Sequence, residues 1–374
     1  MSKHAMIRRQ PHRIAIFRAL QLGDLLTAVP AFRALRRSYP HAEITLIGLP
    51  WAASFVQRYA QYLNRFVEFA GYPGIGEVPY EPERSLRFLE EQRAYGYDLT
   101  IQMHGSGQTS NPFVLELNAP LSVGYYDGEP PEGLTLGRPY PHHQPEIVRN
   151  LGLTELLGAD ASQTSLEFPL FEQDYTEAAT LLRQLPKASR PWIGLHPGSR
   201  PPARRWPAEY FASVADTLAQ RFDAQIMLTG GPGEEMTVEV VMRYMQTPAM
   251  NLVGQTSLGG LAAIISKLDL FISNDTGPAH IADAVHCPGI TIFGPAEYER
   301  WKPLSATRHA VRQPVSCSPC SFWECPIDQR CLRWLNPERV IDGAASYLSK
   351  QPLREMADAT TKDGKIVARA GESL

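Results

Sequence analysis

The sequence predicts an α/β protein of two units, each a parallel sheet covered by helices, and three observations carry that prediction. The chain has 374 residues, too long for one ordinary core and suited to two domains of about 100–200 residues each. Short apolar runs alternate with stretches of helical periodicity, the pattern of strands joined by crossover helices. The alternation occurs twice, on either side of Pro186-Lys187-Ala188-Ser189-Arg190-Pro191, whose proline and polar content reads as a crossing between units. The expected divisions are 1–185, 186–348 and a polar tail at 349–374.

In the first unit, Arg13 to Phe17 is a strand by its apolar run, and Asp24 to Arg37 is a helix with Leu25, Leu26, Val29, Phe32 and Leu35 on one side. Strands follow at Glu43 to Leu49, Phe66 to Phe69, Asp98 to Met103 and Leu121 to Tyr125, with a helix at Pro82 to Tyr95. Tyr126 to Pro145 is rich in Gly, Pro and His and reads as a long surface loop. Helices are expected at Glu146 to Leu157 and Asp174 to Leu185. The second unit repeats the scheme, with strands at Trp192 to His196, Gln225 to Leu228, Leu268 to Ile272 and Ile290 to Phe293. Its helices are Pro207 to Phe222, Glu234 to Met245, Leu258 to Ser266 and Pro278 to Val285. The loops after these strands lie at the carboxyl ends of a sheet, where open α/β sheets bind ligands.

Composition narrows the function. Hydrophobic content of 44% and charged content of 20% belong to a globular protein, and a net charge of −3 argues against a nucleic-acid partner. The most apolar stretch, Leu258 to Ser273, is broken by Lys267 and Asp269 and does not read as a membrane span. The basic start is interrupted by Arg18 and lacks a cleavage site, so a cytoplasmic protein is expected.

Several stretches carry chemistry. In Leu268 to His286 a buried strand turns into a helix through Asn274-Asp275-Thr276-Gly277-Pro278. Asp275 or Thr276 can cap that helix, Gly277 permits close approach of a ligand, and Pro278 suits the first helical position. Unpaired N–H groups at a positive helix end make a seat for phosphate, although an ordinary capped turn has the same residues. His280 follows one turn in. Leu228-Thr229-Gly230-Gly231-Pro232-Gly233-Glu234-Glu235 is a Gly-rich strand-to-helix turn without full dinucleotide spacing. His104 closes a first-unit strand, equally suited to an acceptor or to structure, and Arg33, Arg36 and Arg37 share a helix side that could meet an anionic acceptor or phospholipid. Cys317, Cys320, Cys325 and Cys331 have a spacing that would suit zinc. Packing or surface thiols are nonetheless expected ahead of zinc or a redox cluster.

Gln21-Leu22-Gly23-Asp24 with Ala28-Val29-Pro30-Ala31-Phe32-Arg33-Ala34-Leu35, His196-Pro197-Gly198-Ser199 with Arg204-Arg205-Trp206-Pro207, and Asn274-Asp275-Thr276-Gly277-Pro278-Ala279-His280, in that order, resemble the family-nine glycosyltransferases, the lipopolysaccharide heptosyltransferases. The resemblance implies a GT-B architecture: two Rossmann-like domains whose parallel sheets face each other across a cleft. It places the acceptor on the first domain and a nucleotide sugar on the second, with inverting transfer between them. Asp24 matches the family's catalytic aspartate, a base for the acceptor hydroxyl, though Asp after Gly at a helix start is also a good N-cap. The implied donor contacts are His196, Ser199, Arg204, Glu234, Asp275, Thr276, Gly277, Pro278 and His280, with Gly23 and His104 on the acceptor side. Arg204 stands where the family usually has lysine, and Glu234 matches its ribose-binding acid. The implied reaction moves heptose from ADP-heptose to a lipopolysaccharide core or lipid-linked saccharide, needs no cofactor beyond its donor, and occurs at the cytoplasmic face of the inner membrane with peripheral contact. The alternatives are a nucleotide-sugar epimerase of the same architecture and a non-catalytic sugar-nucleotide-binding protein of envelope assembly.

Overall fold

The computed structural model describes residues 10–183, 185 and 191–349. The crossing at 186–190 and the tail beyond 349 therefore lie outside the described residues. The first part of the chain runs β1 (Arg13–Phe17), α1 (Leu22–Ser38), β2 (Glu43–Gly48), α2 (Ala52–Arg58), β3 (Arg65–Glu68), α3 (Pro82–Tyr95), β4 (Leu99–Gln102), α4 (Ser110–Glu116), β5 (Leu121–Tyr126), β6 (Leu136–Pro139), α5 (Glu146–Glu155) and α6 (Glu172–Leu182). It continues through β7 (Trp192–His196), α7 (Ala208–Phe222), β8 (Gln225–Leu228), α8 (Glu235–Tyr244), β9 (Ala249–Asn251), α9 (Leu258–Ile265), β10 (Leu270–Asn274), α10 (Gly277–Ala284) and β11 (Gly289–Phe293). Last come α11 (Tyr298–Trp301), β12 (Arg308–Arg312), α12 (Arg330–Arg333) and α13 (Pro337–Leu348).

Among the described residues these strands form two six-stranded sheets, ordered β3-β2-β1-β4-β5-β6 and β9-β8-β7-β10-β11-β12. Strand neighbours are parallel throughout, with Ile14 opposite both Ile44 and Leu99 in the first sheet and Leu195 opposite Ile272 in the second. The central strands are apolar on both faces because helices cover both faces: in β1, Ile14 and Ile16 on one side and Ala15 and Phe17 on the other are buried, and in β10 so are Leu270 and Ile272 on one side and Phe271 on the other. Two Rossmann-like units result, as the resemblance implies.

The sequence reading missed the sheet margins. β6 lies inside the expected loop, and β9 and β12 were not expected at all; these edge strands are half-buried or exposed along much of their length, so no apolar run marks them. α1 starts at Leu22 with Gln21 as its N-cap, so Asp24 sits three residues inside the cap and accepts the Gln21 N–H at 3.2 Å. The three α1 arginines are engaged by groups of the chain itself. Arg33 is buried against the Glu167 carboxylate at 2.9 Å and donates to the Ser165 carbonyl, Arg36 donates to the carbonyls of Tyr39, Pro40, Ala42 and Tyr62, and Arg37 donates to Gln163. They lock loops to the helix.

The two units touch on both sides of α1. α6 packs on α9, where Gly259 and Gly260 lie so close that an added Cβ would collide with the carboxylates of Asp174 and Glu177. Asp174 is itself paired with Arg58 of α2 at 2.6 Å. α1 packs on α10, with Gly23 against the His280 ring and Gly277 against Leu22.

Candidate active site

In both sheets the strand order reverses between two central neighbours, β1 and β4 in one and β7 and β10 in the other. Loops at such a point diverge and leave a crevice at the carboxyl ends of the strands. The first turn of α1, just after β1, carries Gly23 and Asp24; the loop after β7 carries Ser199 and Arg204, and the passage from β10 into α10 carries Asp275, Thr276 and Gly277. A cavity of about 910 Å³ is lined by Gly23 and Asp24 from the first unit and by His196, Ser199, Arg204, Glu234, Asp275, Thr276, Gly277, Pro278 and His280 from the second. Of the donor and acceptor contacts that the resemblance implies, His104 alone is not in that lining. Its Nδ1 accepts the Ala19 N–H at 3.3 Å, its Nε2 lies 3.4 Å from Glu77 and its ring stacks on Phe17.

Asp24 sits at the junction. Its side chain is about 20% exposed, with one carboxylate oxygen 3.8 Å from the Arg18 guanidinium, which is almost wholly buried. Burial pushes the Asp24 carboxyl above the usual range, Arg18 and Arg300 pull it down, and Glu146 adds to the rise. A carboxylate held this way is a better proton acceptor than a solvated one.

On the other wall, Asn274 ties the end of β10 to the loop after β7: its Nδ2 donates to the Pro197 carbonyl at 2.8 Å and its Oδ1 accepts the Trp206 N–H at 3.1 Å. Arg205 fastens the same loop by donating to the Ser199 carbonyl at 2.8 Å, and Arg200, Arg204 and Arg205 all line the cavity. Arg204 lies 3.6 Å from Asp275 Oδ2, an oxygen that is buried with no hydrogen-bond partner among the described residues. Burial pushes the Asp275 carboxyl up to about 6, against the pull of Arg204 and with help from Asp24. The turn after it differs from the expectation. Thr276 is the N-cap without a side-chain bond, and Pro278 is the second helical residue. The Asp275 N–H is spent on the Ile292 carbonyl and the Ala279 N–H on Thr276, so fewer amides remain for an anion than the sequence suggested.

Burial pulls the imidazoles of both His280, to about 4, and His196 down. His196 Nδ1 meets the Thr229 hydroxyl at 3.1 Å and its Nε2 lies 3.6 Å from Glu234. Glu234 accepts the Gly231 N–H at 2.7 Å, and its carboxylate occupies the space where a side chain on Gly198 would stand. The glycine is thus needed for that carboxylate to reach the cavity wall.

Sequence reasoning missed Trp301 and Trp323, which also line the cavity. Trp301 follows the carboxyl end of β11, so the rule that located the other loops applied to it as well. Trp323 arrives with the cysteine-rich stretch, which braces the loop after β7: Gln329 donates to the carbonyls of Pro202, Ala203 and Arg205 at 3.0–3.1 Å, and the Ala203 N–H donates to the Trp323 carbonyl. Cys331 is buried, with its thiol pushed up to about 11 by burial; Cys320 and Cys325 are half-buried and Cys317 is exposed. All four are free thiols, and among the described residues no group of three or more His, Cys, Asp and Glu side chains converges as a metal site.

The comparisons with known proteins point one way. The model of glycosyltransferase family 9 (heptosyltransferase) matches residues 85–330. Lipooligosaccharide heptosyltransferase 2 of Campylobacter jejuni is 32% identical over 43% of this chain and 52% of that protein, so the match spans about half the length of that relative. Lipopolysaccharide heptosyltransferase 3 of Escherichia coli K12 is 28% identical over 91% of this chain and 94% of that protein. The solved structure of the E. coli ADP-heptose lps heptosyltransferase II superposes with a TM-score of 0.69 at 20% identity, covering 90% of this chain and 98% of that one, a likeness of fold.

Proposed function

The chain belongs to glycosyltransferase family 9, and on that premise we propose that it is an inverting glycosyltransferase that moves heptose from ADP-heptose onto a lipopolysaccharide core acceptor. The observation that carries the reading is the shared cavity, whose lining joins Asp24 of the first unit to Arg204 and the Asp275-Thr276-Gly277 turn of the second. Asp24 takes the proton of the acceptor hydroxyl as its oxygen bonds to the anomeric carbon from the face opposite the leaving diphosphate. The departing electron pair settles on phosphate oxygens, where Arg204 and the positive end of α10 offset the new charge. Glu234 accepts from the ribose hydroxyls, and the upward push on the Asp24 carboxyl strengthens it as the base. The heptosyltransferases named above support heptose and an ADP donor.

Under this reading residues 1–185 receive the acceptor and 186–348 the donor, and no cofactor beyond the nucleotide sugar is required. The enzyme works at the cytoplasmic face of the inner membrane and touches it peripherally, because its acceptor is lipid-anchored; among the described residues no helix is long and apolar enough to cross a membrane. Asp24→Asn tests the assignment. The variant is expected to keep its fold and donor affinity while transfer falls by a factor on the order of 10²–10⁴. Near-normal transfer of heptose by a well-folded variant would sink it.

A further inference from the structure

We propose that Glu146 is a positioning residue, which sets the Asp24 carboxylate through Arg18 and engages the second unit through Arg300. The role rests on the reading of Asp24 as the base. Glu146 opens α5 in the first unit and is buried, a costly place for a carboxylate unless it is paired. Each of its oxygens has a cationic partner. Oε1 accepts from Arg18 Nη2 at 2.9 Å, and Oε2 accepts from Arg300 Nε of α11 at 2.8 Å and from Arg149 Nη1 at 3.3 Å. Burial works to raise the Glu146 carboxyl, yet the three arginines outweigh it and hold it at about 2, so it stays charged.

Arg18 is the arm between Glu146 and the base. Its guanidinium is held by the carbonyls of Asp24, at 2.8 Å, and Met103, and by Asn150 Oδ1 at 3.2 Å. One nitrogen, Nη2, serves both carboxylates: it lies 2.9 Å from Glu146 and 3.8 Å from Asp24. Pairing with Glu146 therefore keeps Arg18 from closing fully on Asp24. Such closure would leave the carboxylate charged but a poor proton acceptor.

Arg300 supplies the link across the cleft. It stacks on Trp301, which lines the cavity beside the His280 ring, so the bond to Glu146 ties a wall of the donor side to the network around Asp24. The groups facing Asp24 from the packed elements are Arg18 before α1, Glu146 with Arg149 behind it on α5, Arg300 on α11 with Glu297 at that helix's N-cap, Asp275 before α10, and His280 on α10. Glu146 and Arg300 act on the base with opposite sign.

The test is the acid limb of the kcat–pH profile for transfer from ADP-heptose, in wild type, Glu146→Gln and Arg300→Gln. Protonating the base lowers kcat, so the limb follows Asp24. Glu146→Gln removes a negative charge and frees Arg18 for Asp24, which moves the limb to lower pH. Arg300→Gln removes a positive charge and moves it to higher pH. In both, kcat is expected to fall about 10-fold to 100-fold with donor affinity unchanged, as for a misplaced catalytic group. Arg300 is partly exposed, so its variant keeps the comparison available if Glu146→Gln folds poorly. Limbs that stay at the wild-type pH, with only the melting temperature lowered, would make the cluster structural and overturn the role. An inactive Asp24→Asn enzyme with unmoved limbs removes the positioning role alone; an active one removes the base and the role together.

Discussion

The carboxyl of Asp275 shows how one residue's environment becomes a measurable property. Burial raises it to about 6 from the ordinary 3.8, so the folded protein binds its proton more tightly than the unfolded chain does. The sign follows: no penalty exists when both states are protonated, it grows as pH rises through the window from about 4 to about 6, and it is full above that. Asp275→Asn is expected to melt at a higher temperature than wild type at pH 7 and to lose that advantage at pH 4, which thermal melts across the range will check. Its neighbour Arg204 is the complementary case. Arg204→Ala removes a charge-assisted contact and should weaken nucleoside diphosphate binding by about 1.5–3 kcal/mol in calorimetry; unchanged affinity for ADP and for other nucleoside diphosphates would remove Arg204 from the donor site.

Among the elements, the loop after β7 is held by pieces far away in sequence. Gln329 donates its amide to three carbonyls of that loop from 124–127 residues further on. Gln329→Ala leaves those acceptors to water, and faster hydrogen exchange over Ala203 to Trp206 together with weaker donor binding is the expected result. The same separation explains what the sequence could and could not tell. Central strands such as Leu270–Asn274 were legible because a short apolar run, Leu270-Phe271-Ile272, is followed by a turn into a helix at Gly277. The edge strand Leu136–Pro139 was not, since only one of its four residues is even half-buried. The loop after β7, the turn after β10 and Asp24, which the cavity brings together, were legible as local motifs. The cluster of Arg18, Glu146 and Arg300 was not, because its bonds join residues 128 and 154 positions apart and no local pattern marks them.

At the scale of the molecule, the units are joined by tight packing at α6 and α9 and by the Glu146–Arg300 bond on the cleft side. Gly259 has no room for a side chain, because Asp174 and its Arg58 partner fill the space. Gly259→Ala must displace that pair, and a loss of about 1–3 kcal/mol is expected by denaturant unfolding. Both sheets share one strand order, read outward from β1 and from β7. The connection from β1 into α1, which brings in Asp24, and the loop after β7, which carries Ser199 and Arg204, therefore hold the same place in two copies of one plan. One copy presents the carboxylate of Asp24 to the cavity, and the other the guanidinium of Arg204. A duplicated ancestor with twofold symmetry would have offered identical turns to both sides of its groove. The present cleft keeps that place in both halves, while loop length and side chains have diverged: four residues separate β1 from α1, and eleven separate β7 from α7.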